Sequence, residues 1–143
     1  MTFLRQAGAA VILTTLTLSL QAAGMAVLIH WARGRLASNI HKLGPVLSAV
    51  LMMRFTTAII ALHLSHIVLW MTFYHWQCFP SWETAFYFST SSYTTVGYGD
   101  VVLSQRWRTL GPVESVVGVL MSGLSVSVLF AIMTRLVERE VGS

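Results

Sequence analysis

The chain has 143 residues, of which 55% are hydrophobic and only 10% are charged, and its mean hydropathy is positive. That balance excludes an ordinary soluble domain and places the chain in the membrane class. A formal net charge of +4 does not mark a nucleic-acid binder, because the basic residues are scattered around the ends of apolar segments and form no stripe.

The first apolar segment, residues 7–31, exceeds the ~20 residues that a helix needs to cross the hydrocarbon and predicts an N-terminal transmembrane helix. Val11 to Leu20 followed by Ala22-Ala23-Gly24 has the outline of a secretory signal. The run continues through Val27, Leu28 and Ile29, however, which favours a span. Thr14, Thr15, Thr17, Ser19 and Gln21 lie inside it, placed to bond back to helix carbonyls or to face protein neighbours. It carries no arginine ladder, so it is not a voltage sensor, and its expected role is to pack around the outside of the rest.

Residues 32–54 are predicted as a cytoplasmic or interfacial linker. Leu36, Ile40 and Leu43 recur at helical spacing beside Arg33, Arg35 and Lys42, ahead of Gly44-Pro45, the pattern of a short interfacial helix or of a plain basic loop. The apolar run restarts at Val46, and a helix from there to Tyr74 would be about 43 Å long against a hydrocarbon thickness of ~30 Å. Its lower end must tilt or protrude, with Arg54 snorkelling to the surface. The spanning part is predicted at 55–74. His63 and His66 lie three apart on one face of it. They are candidates for metal or haem binding or pH sensing; with no full ligand set nearby, packing with a hydrogen bond to a neighbour, such as a hydroxyl of the segment that follows, is the preferred reading.

Pro80 then breaks the chain, and Ser81 is expected to cap a segment 82–93 with Glu83 favouring its dipole. At about 12 residues, or ~18 Å, this segment is too short to span and predicts a re-entrant helix. After it comes Thr94-Thr95-Val96-Gly97-Tyr98-Gly99-Asp100. Gly111-Pro112 opens the last helix, 113–135. Gly118 and Gly123 are its small points, and Gly123, flanked by Ser122 and Ser125, is read equally as a hinge or as a packing contact. Glu114 is expected to be a solvated cap within reach of Arg106 or Arg108. Arg135, Glu138, Arg139 and Glu140 read as a charged helix end at the headgroups, with a salt-bridged gate as the alternative.

Arg33, Arg35, Lys42, Arg54, Arg135 and Arg139 outnumber Arg5, Arg106 and Arg108, so the positive-inside rule puts the N-terminus outside and the C-terminus in the cytoplasm. Trp31 is then expected at the inner interface, and Trp70, Tyr74, Trp76 and Trp107 in an outer aromatic belt. Cys78 is the only cysteine, which excludes an intrachain disulfide and leaves a partly buried thiol or an intersubunit bridge.

Thr-Val-Gly-Tyr-Gly is the established form of a potassium filter, in which main-chain carbonyls replace the ion's water. Here the carbonyls of Thr95, Val96, Gly97 and Tyr98, with the Thr95 hydroxyl, are expected to supply the oxygens. An extended strand points alternate carbonyls opposite ways, and turning them to one axis needs positive φ, which Gly97 and Gly99 allow. Irregular backbone is tolerated at membrane depth where protein buries it or where it lines water. Gly97-Tyr98-Gly99 lacks the third glycine of a dinucleotide fingerprint, and with no catalytic triad or phosphate loop the chain is not expected to be an enzyme.

Outer helix, pore helix, Thr-Val-Gly-Tyr-Gly-Asp filter and inner helix in this order resemble the tetrameric potassium channel family, over roughly Phe55 to Arg139. Small bacterial members with an added leading span look most similar. The resemblance implies an all-α membrane fold of three transmembrane helices plus a re-entrant pore helix and extended filter. It also implies a homotetramer in the bilayer, most simply a bacterial inner membrane, that passes K+ passively. K+ is then the permeant ion, with no cofactor, nucleic acid or small-molecule substrate. Position by position, Thr95, Val96, Gly97 and Tyr98 would coordinate K+, Gly99 would permit the final turn and Asp100 would sit at the outer mouth. Thr94, Tyr87, Phe88 and Ser91 would support the filter, and Gly123 would be the gating hinge. Many members carry a tryptophan pair and a glutamate where this chain has Tyr87, Phe88 and Ser91. A looser aromatic cuff is therefore expected, with Asp100 deprived of its usual partner. The alternatives are a non-conducting or regulatory channel-like subunit and a less selective cation channel.

Overall fold

A computed structural model describes residues 2–37 and 45–141. It contains four helices among those residues: α1 (Thr2–Ala37), α2 (Pro45–Gln77), α3 (Trp82–Tyr93) and α4 (Leu110–Val141). The interfacial helix expected around Ile40, Lys42 and Leu43 falls outside the described residues, as do the side chains of Arg139 and Glu140 in the charged cluster expected at the end of α4.

Three of the helices are long and apolar enough to cross a membrane, over Phe3–Gly34, Val46–Gln77 and Leu110–Arg135. They overrun the predicted spans 7–31, 55–74 and 113–135, and α2 takes up much of the segment 32–54 assigned to a linker. The physical reason is that hydrophobicity marks only the stretch lying in hydrocarbon. The backbone ladder itself runs on until something stops it, so α2 starts at Pro45, whose missing N–H costs nothing in a first turn. Pro112 sits in the first turn of α4 for the same reason.

The hydrogen bonds and packing give the helix directions. Gln6 of α1 meets the loop before α4 at Gln105 and Thr109, Gln21 meets Met121 and Ser125, and Ala32 shares a cluster with Ile132. Thus α1 runs parallel to α4, and α2 returns antiparallel to both. One cluster gathers Leu13, Trp70, Tyr74, Ala85, Leu103, Trp107 and Leu110 at the end that carries α3. A second gathers Met25, Leu28, Ala32, Phe55, Ile59 and Ile132 at the opposite end, where Arg54 lies 5.3 Å over the Trp31 ring.

One expectation changes here. Trp70, Tyr74 and Trp107 do not form an outward aromatic belt; they are core residues, because α1, α2, α4 and the loop before α4 converge at that level, and only Trp76 remains exposed. The polar residues of α1 bond back to helix carbonyls or face protein neighbours, as expected. Gln6, Thr17 and Gln21 are all buried. Gln6 receives hydrogen bonds from the Thr109 amide and hydroxyl and donates to the Gln105 carbonyl, Thr17 accepts from Trp70 Nε1 at 3.0 Å, and Gln21 donates to Ser125 Oγ at 3.1 Å. Gly24, which the sequence offers as part of a cleavage signal, is a packing position: a Cβ there would stand 2.5 Å from Leu62 Cδ1.

Candidate functional site

Helix α3 is wedged between α2 and α4 at one end of the bundle. Ser81 occupies its N-cap position in extended backbone, but the hydroxyl makes no capping bond; the Ser81 carbonyl instead accepts from the Ala85 amide. Ala85, Ser89, Ser92 and Tyr93 are buried, a helical stripe turned toward α2 and α4. The other side of α3 and the loop after it are open in the single chain, with Val96 51% and Tyr98 73% exposed.

The segment Thr94–Asp100 leaves the helix with its amides still tied to it. Thr94 N–H donates to Thr90 O, Thr95 N–H to Ser92 O at 3.0 Å, and Gly97 N–H to Ser91 O at 3.2 Å. Positive φ then falls on every second residue: Thr95 at 62°, Gly97 at 55° and Gly99 at 79°. Alternation of this kind is what brings successive carbonyls of one strand to the same side. The glycines adopt it freely, but Thr95 is β-branched, and such a residue in the left-handed region carries roughly 1–3 kcal/mol of strain. Sequence reasoning assigned the positive φ to the two glycines and missed Thr95, although the two-residue spacing pointed to it.

Asp100 is not left without a partner. Tyr87 donates from its hydroxyl to Asp100 Oδ2 at 2.8 Å, and its ring stacks near that of Tyr98, with centroids 6.5 Å apart. The hydrogen bond holds the Tyr87 phenol above its ordinary value. Tyrosine reaches where a shorter side chain would not, which is why the residue type alone suggested a lost contact. Phe88 faces inward, against Tyr74 at 5.0 Å and Phe79 at 5.6 Å between centroids. Ser91 and Thr95 line a cavity of about 700 Å³ between α3, the loop and the start of α4.

Behind the loop, α4 presents Gly111, Glu114, Ser115 and Gly118 to α3. A Cβ on Gly111 would meet Phe88 Cζ at 3.2 Å. Glu114 Oε1 lies 2.6 Å from the Ser89 hydroxyl, and Tyr74 donates to Oε2 at 2.9 Å. Ser115 donates to the Ser92 carbonyl at 2.6 Å, and Gly118 lies against the Tyr93 backbone. Glu114 is therefore fully buried and neither a solvated cap nor a partner of Arg106 or Arg108. The α3–α4 crossing draws it inside, and nothing in the linear spacing announces that crossing. A Cβ on Gly123 would meet nothing within 4 Å in the chain, so close packing inside the chain does not account for the glycine.

From α2, His63 Nδ1 and His66 Nδ1 lie 2.8 and 3.0 Å from the one Tyr93 hydroxyl. The histidine pair thus meets a pore-helix hydroxyl, and no group of three or more metal-ligating side chains exists among the described residues. Cys78, just past α2, is a partly buried free thiol, and burial pushes it up to about 11.

A long antiparallel pair, a short helix wedged between them and a loop of alternating backbone hand together form the open side of the chain. No curated protein and no solved structure matches the chain. The sequence profile described as "Ion channel" matches residues 50–135, which takes in most of α2, all of α3, the loop and α4 as far as Arg135. With well over half of its 143 residues in that match, the chain belongs to the ion channel family and is not an enzyme.

Proposed function

We propose that four copies of the chain surround a potassium-selective pore and pass K+ passively along its electrochemical gradient. The observation that carries this reading is the positive φ at Thr95, Gly97 and Gly99 within Thr94–Asp100, the conformation by which one strand turns its carbonyls to a common axis. Thr95, Val96, Gly97 and Tyr98 are the K+ ligands in this reading, with Asp100 at the mouth. A single chain lines only one side of such an axis. The exposure of Val96, Tyr98, Val116, Leu120, Leu124 and Phe130 supports assembly, because a copy on either side would cover them. Gly123, whose Cβ position is open inside the chain, is the candidate hinge.

The basic side chains near the ends of the spans favour the N-terminus outside and the C-terminus in the cytoplasm. A parallel α1 and α4 with α2 reversed is compatible with that orientation.

Reversal potentials of the full chain in planar bilayers test the reading, with Gly97→Ala as the control. Potassium permeability at least about tenfold above sodium, lost in the variant, is the expected result. Equal permeabilities would instead identify a less selective cation channel. Absence of any flux from correctly assembled protein would identify a non-conducting subunit.

A further inference from the structure

The buried Glu114 carboxyl has a hydroxyl against each of its oxygens. Ser89 owns one hydroxyl hydrogen, yet its Oγ lies 2.6 Å from Glu114 Oε1 and 3.1 Å from the Ile67 carbonyl. The carbonyl can only accept, and the Tyr74 hydroxyl already donates to Oε2. Tyr74, Ser89 and Glu114 are all fully buried. One hydrogen on the carboxyl lets every one of these contacts be a hydrogen bond, with Glu114 donating from Oε1 to Ser89, Ser89 to Ile67 and Tyr74 to Oε2, and it spares the protein a buried carboxylate.

We infer that Glu114 is a positioning residue for the filter, acting through Ser89 by giving one hydrogen bond and taking another. The path to the loop is short. Ser89 directly precedes Thr90, Ser91 and Ser92, whose carbonyls hold the amides of Thr94, Gly97 and Thr95. Glu114 thus joins α2, α3 and α4 at the point from which the loop's backbone is suspended. A side chain with one donor and one acceptor at its tip does this work, and glutamine has both, whereas a carboxylate has acceptors only.

The selectivity readout of this inference rests on the pore reading; a second readout does not. In the full-length assembled protein, Glu114→Gln keeps the wild-type potassium-to-sodium permeability ratio within about twofold, while Glu114→Ala lowers it about tenfold or more. Hydrogen exchange at the amides of Thr94, Thr95 and Gly97 follows the same order, about tenfold faster in Glu114→Ala and unchanged in Glu114→Gln. If Glu114→Ala does not assemble, Ser89→Ala takes its place with the same expected losses. Glu114→Gln as impaired as the alanine variant, or alanine variants with wild-type exchange, would overturn the inference. Wild-type protein that passes no potassium would overturn the pore reading alone, and the exchange measurement would still decide the role of Glu114.

Discussion

Gly118 of α4 lies against the last residue of α3, so close that a Cβ on it would overlap the Tyr93 carbonyl oxygen and stand 3.0 Å from the carbonyl carbon. The obstacle is backbone, which cannot rotate aside. Gly118→Ala is therefore expected to destabilise the chain by about 1–3 kcal/mol, as overpacking does, and to displace the start of the loop. Gly123→Ala meets nothing within 4 Å in the chain and should unfold as the wild type does. Thermal unfolding of the two variants in one detergent separates them; equal losses would refute the packing role of Gly118.

The Tyr87–Asp100 hydrogen bond sits at the exposed side of the loop. Tyr87→Phe removes the donor without opening a cavity, so the expected outcome is a potassium current that declines faster under sustained flow, with an unchanged unfolding temperature. The pH dependence follows from the raised Tyr87 phenol. Its stabilising bond is complete below the ordinary phenol value of 10.0 and is lost as pH rises through the raised one. Alkaline titration in the ultraviolet should show this phenol ionising later in the wild type than in Asp100→Asn.

Gly99 has φ of 79° and no atom within 4 Å of where a Cβ would lie. Alanine there meets no steric obstacle except its own backbone, a cost of roughly 1–2 kcal/mol. Gly99→Ala should consequently lose potassium selectivity while the helices keep their circular dichroism and melting profile. A variant that conducts selectively would show that positive φ at Gly99 is dispensable.

Gln21 reaches from α1 to the Met121 carbonyl and to Ser125 Oγ, the two sides of Gly123 along α4. Polar contacts of this kind in membranes average about 0.6 kcal/mol and reach about 1.7. Gln21→Leu should lower resistance to unfolding by that amount and leave α1 more open to proteolysis. No change in either would reduce α1 to passive packing.

The order of elements was legible in the residues because each rests on a local property. Spanning length comes from apolar runs, the short α3 from Pro80 and the distance to Thr94, and the loop from its glycines. Other features depended on which faces meet. Glu114 was misread because Ser89 comes within its reach only when α3 settles between α2 and α4, and Tyr87 because Asp100 reaches it only when the loop folds back along α3. The aromatic residues at the end that carries α3 were misread because amphipathic side chains suit an interface and a core equally until the bundle closes around them.

By itself, then, the sequence determined that this is a membrane protein with three helices long and apolar enough to cross, a short helix between the second and third, and a loop with two glycines of free backbone, since hydropathy and steric freedom belong to residues one at a time. Only the tertiary structure decided how that loop is held. A carboxyl inside the protein, a glycine beneath a carbonyl, two histidines on one tyrosine and a threonine forced to positive φ are relations between residues distant in sequence or fixed by their surroundings. Packing creates them and the linear order does not.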